Sequence, residues 1–124
     1  MPSDKMKDEM EINNHLNLFV KSFVEKRRQE RWINFLCNRP KQTYKHSSDL
    51  LNHLDNKFYT EVDSVESIPE NGKGVFYDFS DEPEIISFSE ASEKGWYQDA
   101  IFSYKPGKLA VYFFHEGWIF LCKR

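Results

Sequence analysis

His46, Asp49 and His53 stand at i, i+3 and i+7, so a helix over Lys41 to Leu54 would carry two imidazoles and a carboxylate along one face. Imidazole nitrogens and carboxylate oxygens are ligands for divalent metals, and this trio is the set on which a small metal-assisted hydrolase could be built. The two imidazoles lie about two turns apart, however, too far for one ion to be gripped by both without help from elsewhere. An ordinary solvated helix face is the expected reading, with no metal. His115-Glu116 is the other titratable pair, because imidazole titrates near neutrality and a carboxylate can orient it. Neighbours in a turn usually point apart, and no nucleophile stands nearby in the sequence, so no catalytic residue is expected.

Cys37 and Cys122 are the only cysteines and form no Cys-x-x-Cys pair, which leaves neither a zinc ribbon nor a thioredoxin-like redox site. Both are expected as free core thiols. Neither a phosphate-cradling Gly-x-x-x-x-Gly-Lys-Ser/Thr loop nor a Gly-x-Gly-x-x-Gly fingerprint occurs, and Asn71-Gly72-Lys73-Gly74 reads as a turn. No cofactor is expected.

Charge is distributed unevenly beneath a net value of −3. Lys21 to Lys45 holds eight basic residues against two acidic ones, whereas Glu61 to Asp99 holds eleven acidic residues against Lys73 and Lys94. Lys26, Arg27, Arg28, Arg31, Arg39 and Lys41 could neutralise phosphates, with Trp32 as an aromatic able to stack on a base. The acidic stretch could instead steer a cationic partner, unless the two regions face and neutralise each other.

The elements that must position these residues follow from apolar periodicity. Ile12, Leu16, Phe19, Val20 and Phe23 recur at helical spacing; the phase breaks near Glu25 to Arg28, and a second helix ends near Cys37 because Pro40 disfavours helical geometry at Arg39. Lys41 to Leu54 is expected as a short third helix. Strands are expected over Phe58 to Val62, Val75 to Phe79 and Ile85 to Phe88, with an exposed loop from Asp63 to Gly74. Ser89 to Gly95 has the order of a short helix: Ser cap, first-turn acids, late Lys, stopping Gly. Ala100 to Tyr104, Leu109 to Phe114 and Trp118 to Cys122 are apolar runs separated by Lys105-Pro106-Gly107-Lys108 and His115-Glu116-Gly117, an antiparallel meander. Val111 and Phe113 oppose Ala110, Tyr112 and Phe114, so both sheet faces are expected to be covered, or one to serve as a contact surface.

The expected fold is therefore one α+β domain over 1–124, with two or three N-terminal helices packed on a mainly antiparallel sheet of five or six strands. Residues 1–9 read as a loosely held start. No export signal or membrane span is visible, so the protein is expected in the cytoplasm.

The run Phe23-Val24-Glu25-Lys26-Arg27-Arg28-Gln29-Glu30-Arg31-Trp32, then Arg39-Pro40-Lys41, a leucine-histidine helix and Pro106-Gly107-Lys108-Leu109-Ala110, resembles a group of small uncharacterised bacterial proteins. In that group the Pro-Gly-Lys-Leu-Ala segment leads to an acidic, glycine-containing turn and an aromatic final strand, similar to His115-Glu116-Gly117-Trp118-Ile119-Phe120. The segment between Asp63 and Asp99 has no match there. The resemblance implies bacterial origin and transfers no catalytic residue.

The leading functional expectation is a non-catalytic protein that binds a macromolecular partner, such as an immunity protein neutralising a cationic nuclease toxin. Asp78, Asp81, Glu82, Glu84 and Asp99 would be its charged contacts, with Trp96 and Tyr97 as aromatic anchors. The alternatives are a nucleic-acid-associated protein using the basic 26–41 region and the metal-assisted hydrolase. Oligomeric state is left open.

Overall fold

The computed structural model describes residues 4–124, with side chains from Met6 onward. Helix α1 spans Asp4–Phe23 and buries Ile12, His15, Leu16, Phe19, Val20 and Phe23, the three-and-four spacing of one apolar stripe. Of the start expected to be loosely held, residues 1–3 lie outside the described residues, and from Asp4 the chain is helical.

The break after α1 is extended at Val24, which forms an isolated antiparallel bridge with Leu54. A 3-10 turn over Lys26–Arg28 leads into α2, Gln29–Ile33, and a π-helical turn over Asn34–Asn38. Arg39 ends the run in the left-handed region at φ 49°, as the following Pro40 requires it to leave the right-handed helix. The third helix is mostly not α-helical. Thr43–Asp49 is a 3-10 segment and only Leu50–His53, α3, is α-helical. The Thr43 hydroxyl donates back to the Pro40 carbonyl at 2.8 Å, a local bond that competes with regular helix.

Six antiparallel strands follow: β1 Tyr59–Val62, β2 Lys73–Tyr77, β3 Glu84–Ser87, β4 Ala100–Lys105, β5 Leu109–Phe113 and β6 Ile119–Lys123. Their order is β1-β6-β5-β4-β2-β3. Phe79, expected within a strand, instead stands beyond β2 at φ 69°, with its ring buried. Helix α4, Phe88–Gly95, is inserted between β3 and β4. Its cap is Ser87 rather than Ser89: the Ser87 hydroxyl accepts from the Glu90 N–H at 3.2 Å.

Alternation along the strands divides the core in two, as the pattern in β5 predicts. Val75, Tyr77, Ile101, Ala110, Tyr112, Phe120 and Cys122 face the N-terminal helices. Phe76, Ala100, Phe102, Leu109, Val111 and Phe113 face Phe88, Ala91 and Ile68, contributed by α4 and the long loop. Both faces of the sheet are covered. Among the described residues no helix is long and apolar enough to cross a membrane.

Candidate functional site: an aromatic cleft beside an acidic basin

Gly95 sets the position of the site. A Cβ there would stand 2.7 Å from the Phe113 ring, so glycine lets the end of α4 lie directly on β5. The chain then leaves the sheet through Trp96-Tyr97-Gln98, with the Gln98 N–H bonded to the Gly95 carbonyl at 3.0 Å. Tyr97 adopts φ 57°, a left-handed conformation that costs a tyrosine energy and holds its ring outward. That ring lies against Gly117, which is itself at φ 89° and where any Cβ would meet the Tyr97 ring at 2.8 Å.

The outcome is a group of aromatics left in solvent: Trp96 is 69% exposed, Tyr97 55% and Trp118 46%. Trp96 and Tyr97 meet edge to face with centroids 5.2 Å apart, and Trp118 stacks on Phe114 at 5.4 Å. All four, with Phe88, Phe113 and Val65, line an apolar cleft of about 260 Å³.

On the other side of the same turn, Asp78, Asp81, Glu82 and Glu84 line a second concavity of about 430 Å³ with Lys94 and Gln98. The Asp78 carboxylate accepts the Ser80 and Asp81 N–H groups at 3.0 and 2.9 Å, which folds the β2–β3 turn and aims the other acids outward. Lys94 donates to Glu84, and that bond raises the lysine pKa. Glu82 and Glu84 also border a third concavity with Asp8 and Glu9, which extends the acidic face onto α1. Sequence spacing had no means of joining residues 8–9 to residues 82–84.

Asp99 sits apart from the other expected contact acids. Its carboxylate accepts the His115 backbone N–H at 3.0 Å and the Ser47 hydroxyl at 3.1 Å, and its Oδ1 lies 3.0 Å from His115 Nδ1. It is a clamp between the 3-10 segment and the β5–β6 hairpin. His115 and Glu116, expected to diverge, approach to 3.6 Å, so the imidazole lies between two carboxylates.

The basic segment is largely engaged inward. Trp32 is fully buried and its indole N–H donates to His53 Nδ1 at 2.9 Å, so it offers no face to a base. Arg39 donates to the Asn13 side chain and the Leu36 carbonyl, both at 3.1 Å, and lies 3.6 Å from Glu82. This is the point at which the basic and acidic regions meet. Arg28 is half-buried, whereas Lys26, Arg27, Arg31 and Lys41 remain exposed.

His53 is likewise turned to Trp32, whereas His46 pairs with Asp49 at 3.2 Å, so the trio does not converge. Among the described residues no three His, Cys, Asp or Glu side chains come together to hold an ion. A row that spacing missed is Glu11, His15 and Ser103: His15 Nδ1 lies 2.8 Å from the Ser103 hydroxyl and its Nε2 3.9 Å from Glu11. Ser103 has no exposed surface, so this row ties α1 to β4 inside the core. Cys122 is fully buried and burial pushes its thiol pKa up to about 12, while Cys37 is only half-buried and burial raises its thiol pKa too, partly offset by Arg39.

No family model, curated protein or solved structure matches the chain.

Proposed function

We propose that this is a non-catalytic binding protein that docks a basic protein partner across the Lys94–Gln98 turn. One observation carries the reading: three exposed aromatics surround an apolar cleft directly beside a basin of four carboxylates. At about 260 Å³ the cleft falls below the roughly 300–1,000 Å³ of small-molecule sites, and it suits an apolar side chain inserted by a protein. Exposed Trp and Tyr supply contact area with few torsions to freeze, the property that makes them dominant in interfaces. Asp81, which has no ion pair among the described residues, and Glu82, which stays exposed although it lies 3.6 Å from Arg39, would speed encounter with a cationic surface. The immunity-protein version of this reading has the carboxylates standing where a nuclease would hold phosphates.

Affinity capture with the wild type, Trp96→Ala/Tyr97→Ala and Asp81→Asn/Glu82→Gln tests the proposal. The wild type should retain a basic protein, the aromatic variant should lose it, and the acid variant should bind it more slowly with a flatter salt dependence. Equal retention by all three, or nothing retained by the wild type, overturns it. If the captured protein is a nuclease, its inhibition by the wild type and not by the aromatic variant gives the immunity version its own test.

A further inference from the structure

A larger concavity, about 660 Å³, lies on the helical side of the sheet and shares only Trp118 with the aromatic cleft. One wall is formed where α1 and α3 end. The Val24–Leu54 bridge, the Glu25 N–H to His53 carbonyl bond at 2.8 Å and the Asp55 N–H to Phe23 carbonyl bond at 2.7 Å tie the two segments together. That wall offers Glu25, Lys26, Asn52, Asp55 and Asn56. The opposite wall is the β1–β6 edge, with Tyr59, Glu61, Trp118 and Phe120. Tyr59 and Trp118 each meet the Phe120 ring nearly at right angles, with centroids 5.6 and 6.4 Å away, and Trp118 is backed by Phe114.

Three properties decide the ligand class. The volume lies in the small-molecule range, unlike that of the aromatic cleft. Three carboxylates against one lysine line the cleft, and with Glu25 paired to Arg27 at 3.3 Å, Asp55 and Glu61 still outweigh Lys26 and disfavour an anion. The side-chain amides of Asn52 and Asn56 make no hydrogen bond to a described residue, and each offers both donors and an acceptor beside an aromatic wall. A ligand that presents hydroxyls around its rim and C–H groups on its face satisfies both requirements. We infer that this cleft is a saccharide-binding site, taking a neutral or amino sugar with its ring face on Trp118 and its hydroxyls on Asn52, Asn56 and the neighbouring carboxylates. Both walls are fixed by backbone bonds or strand pairing, so the cleft is formed before the sugar arrives.

The experiment is titration of isotope-labelled protein with cellotriose, maltotriose, chitotriose and glucosamine, followed by NMR. At least one sugar should shift the Asn52 and Asn56 side-chain amides and the Trp118 indole signal, leaving the Trp32 and Trp96 indoles in place. Trp118→Ala and Asn56→Ala should each weaken that binding about ten-fold or more. Both residues are exposed, and an unmoved Trp32 indole will show that each variant is folded. No shift with any of the four at millimolar concentration, shifts confined to Trp96, or undiminished binding in both variants would overturn the assignment. So would a shift of the same amides by inorganic phosphate in place of the sugars. Because Trp96 and Tyr97 do not line this cleft, the outcome is separate from that of the protein-docking test.

Discussion

Trp32 and Trp96 are one residue type with opposite fates, and the contrast separates the two charged regions of the molecule. Around Trp32 the chain turns its chemistry inward: the indole is bonded to His53, and Arg39 is tied to Asn13, Leu36 and Glu82. Around Trp96 it does the reverse. α4 is pressed on the sheet through Gly95, and the next two residues are pushed into solvent, Tyr97 at a backbone angle that tyrosine seldom takes. A run of Lys and Arg with an aromatic reads as a binding surface in sequence, yet here it is partly scaffold; the surface is the segment where burial has been given up and strain accepted.

The largest expected effect separates the two tryptophans directly. Trp32→Ala should cost about 3–5 kcal/mol of stability in urea unfolding, and Trp96→Ala should stay within about 0.5 kcal/mol. Similar values for the pair would erase the distinction between scaffold and surface. Next is Asp99 against Asp81. Asp99→Ala removes the acceptor of the Ser47 and His115 bonds and should cost about 1.5–3 kcal/mol, whereas Asp81→Ala at an exposed turn should be nearly silent.

The smallest effect is a pH dependence that belongs to the inward-facing region. Burial lowers the pKa of His15, and burial followed by Arg28 lowers that of His53. An unfolded chain binds a proton on each near pH 6.5, which the folded chain resists, so stability held above that pH should be lost as it falls below. The urea midpoint should drop on going from pH about 7.5 to about 5.5, and the drop should be smaller in His53→Gln.

Much of this architecture is legible in the residue order, for a physical reason. α1 and the three C-terminal strands bury regular stripes, and period 3.6 or period 2 survives in the residue order. The sequence points to Ser89 as the α4 cap where the structure has Ser87, because Phe88 suits a strand end and a buried helix start equally well. His53 is a clearer case. Its spacing to His46 was visible, but its partner Trp32 lies 21 positions away, and Asp99 finds Ser47 52 positions away. Trp96 and Tyr97 stand out by residue type alone; Trp118 joins them, and Asp8 and Glu9 join Glu82 and Glu84, only in the folded chain.

The strand order has a consequence for how the molecule is made. β6, the last strand along the chain, lies inside the sheet between β1 and β5. Until Ile119–Lys123 joins, β1 has no strand partner and β5 presents an open edge. Closing the sheet joins segments some sixty positions apart, Tyr59 with Cys122, so the helices cannot complete their core by vectorial, piece-by-piece folding. A chain without β6 would therefore carry open strand edges at β1, β5 and β3, where the folded sheet exposes only those of β1 and β3.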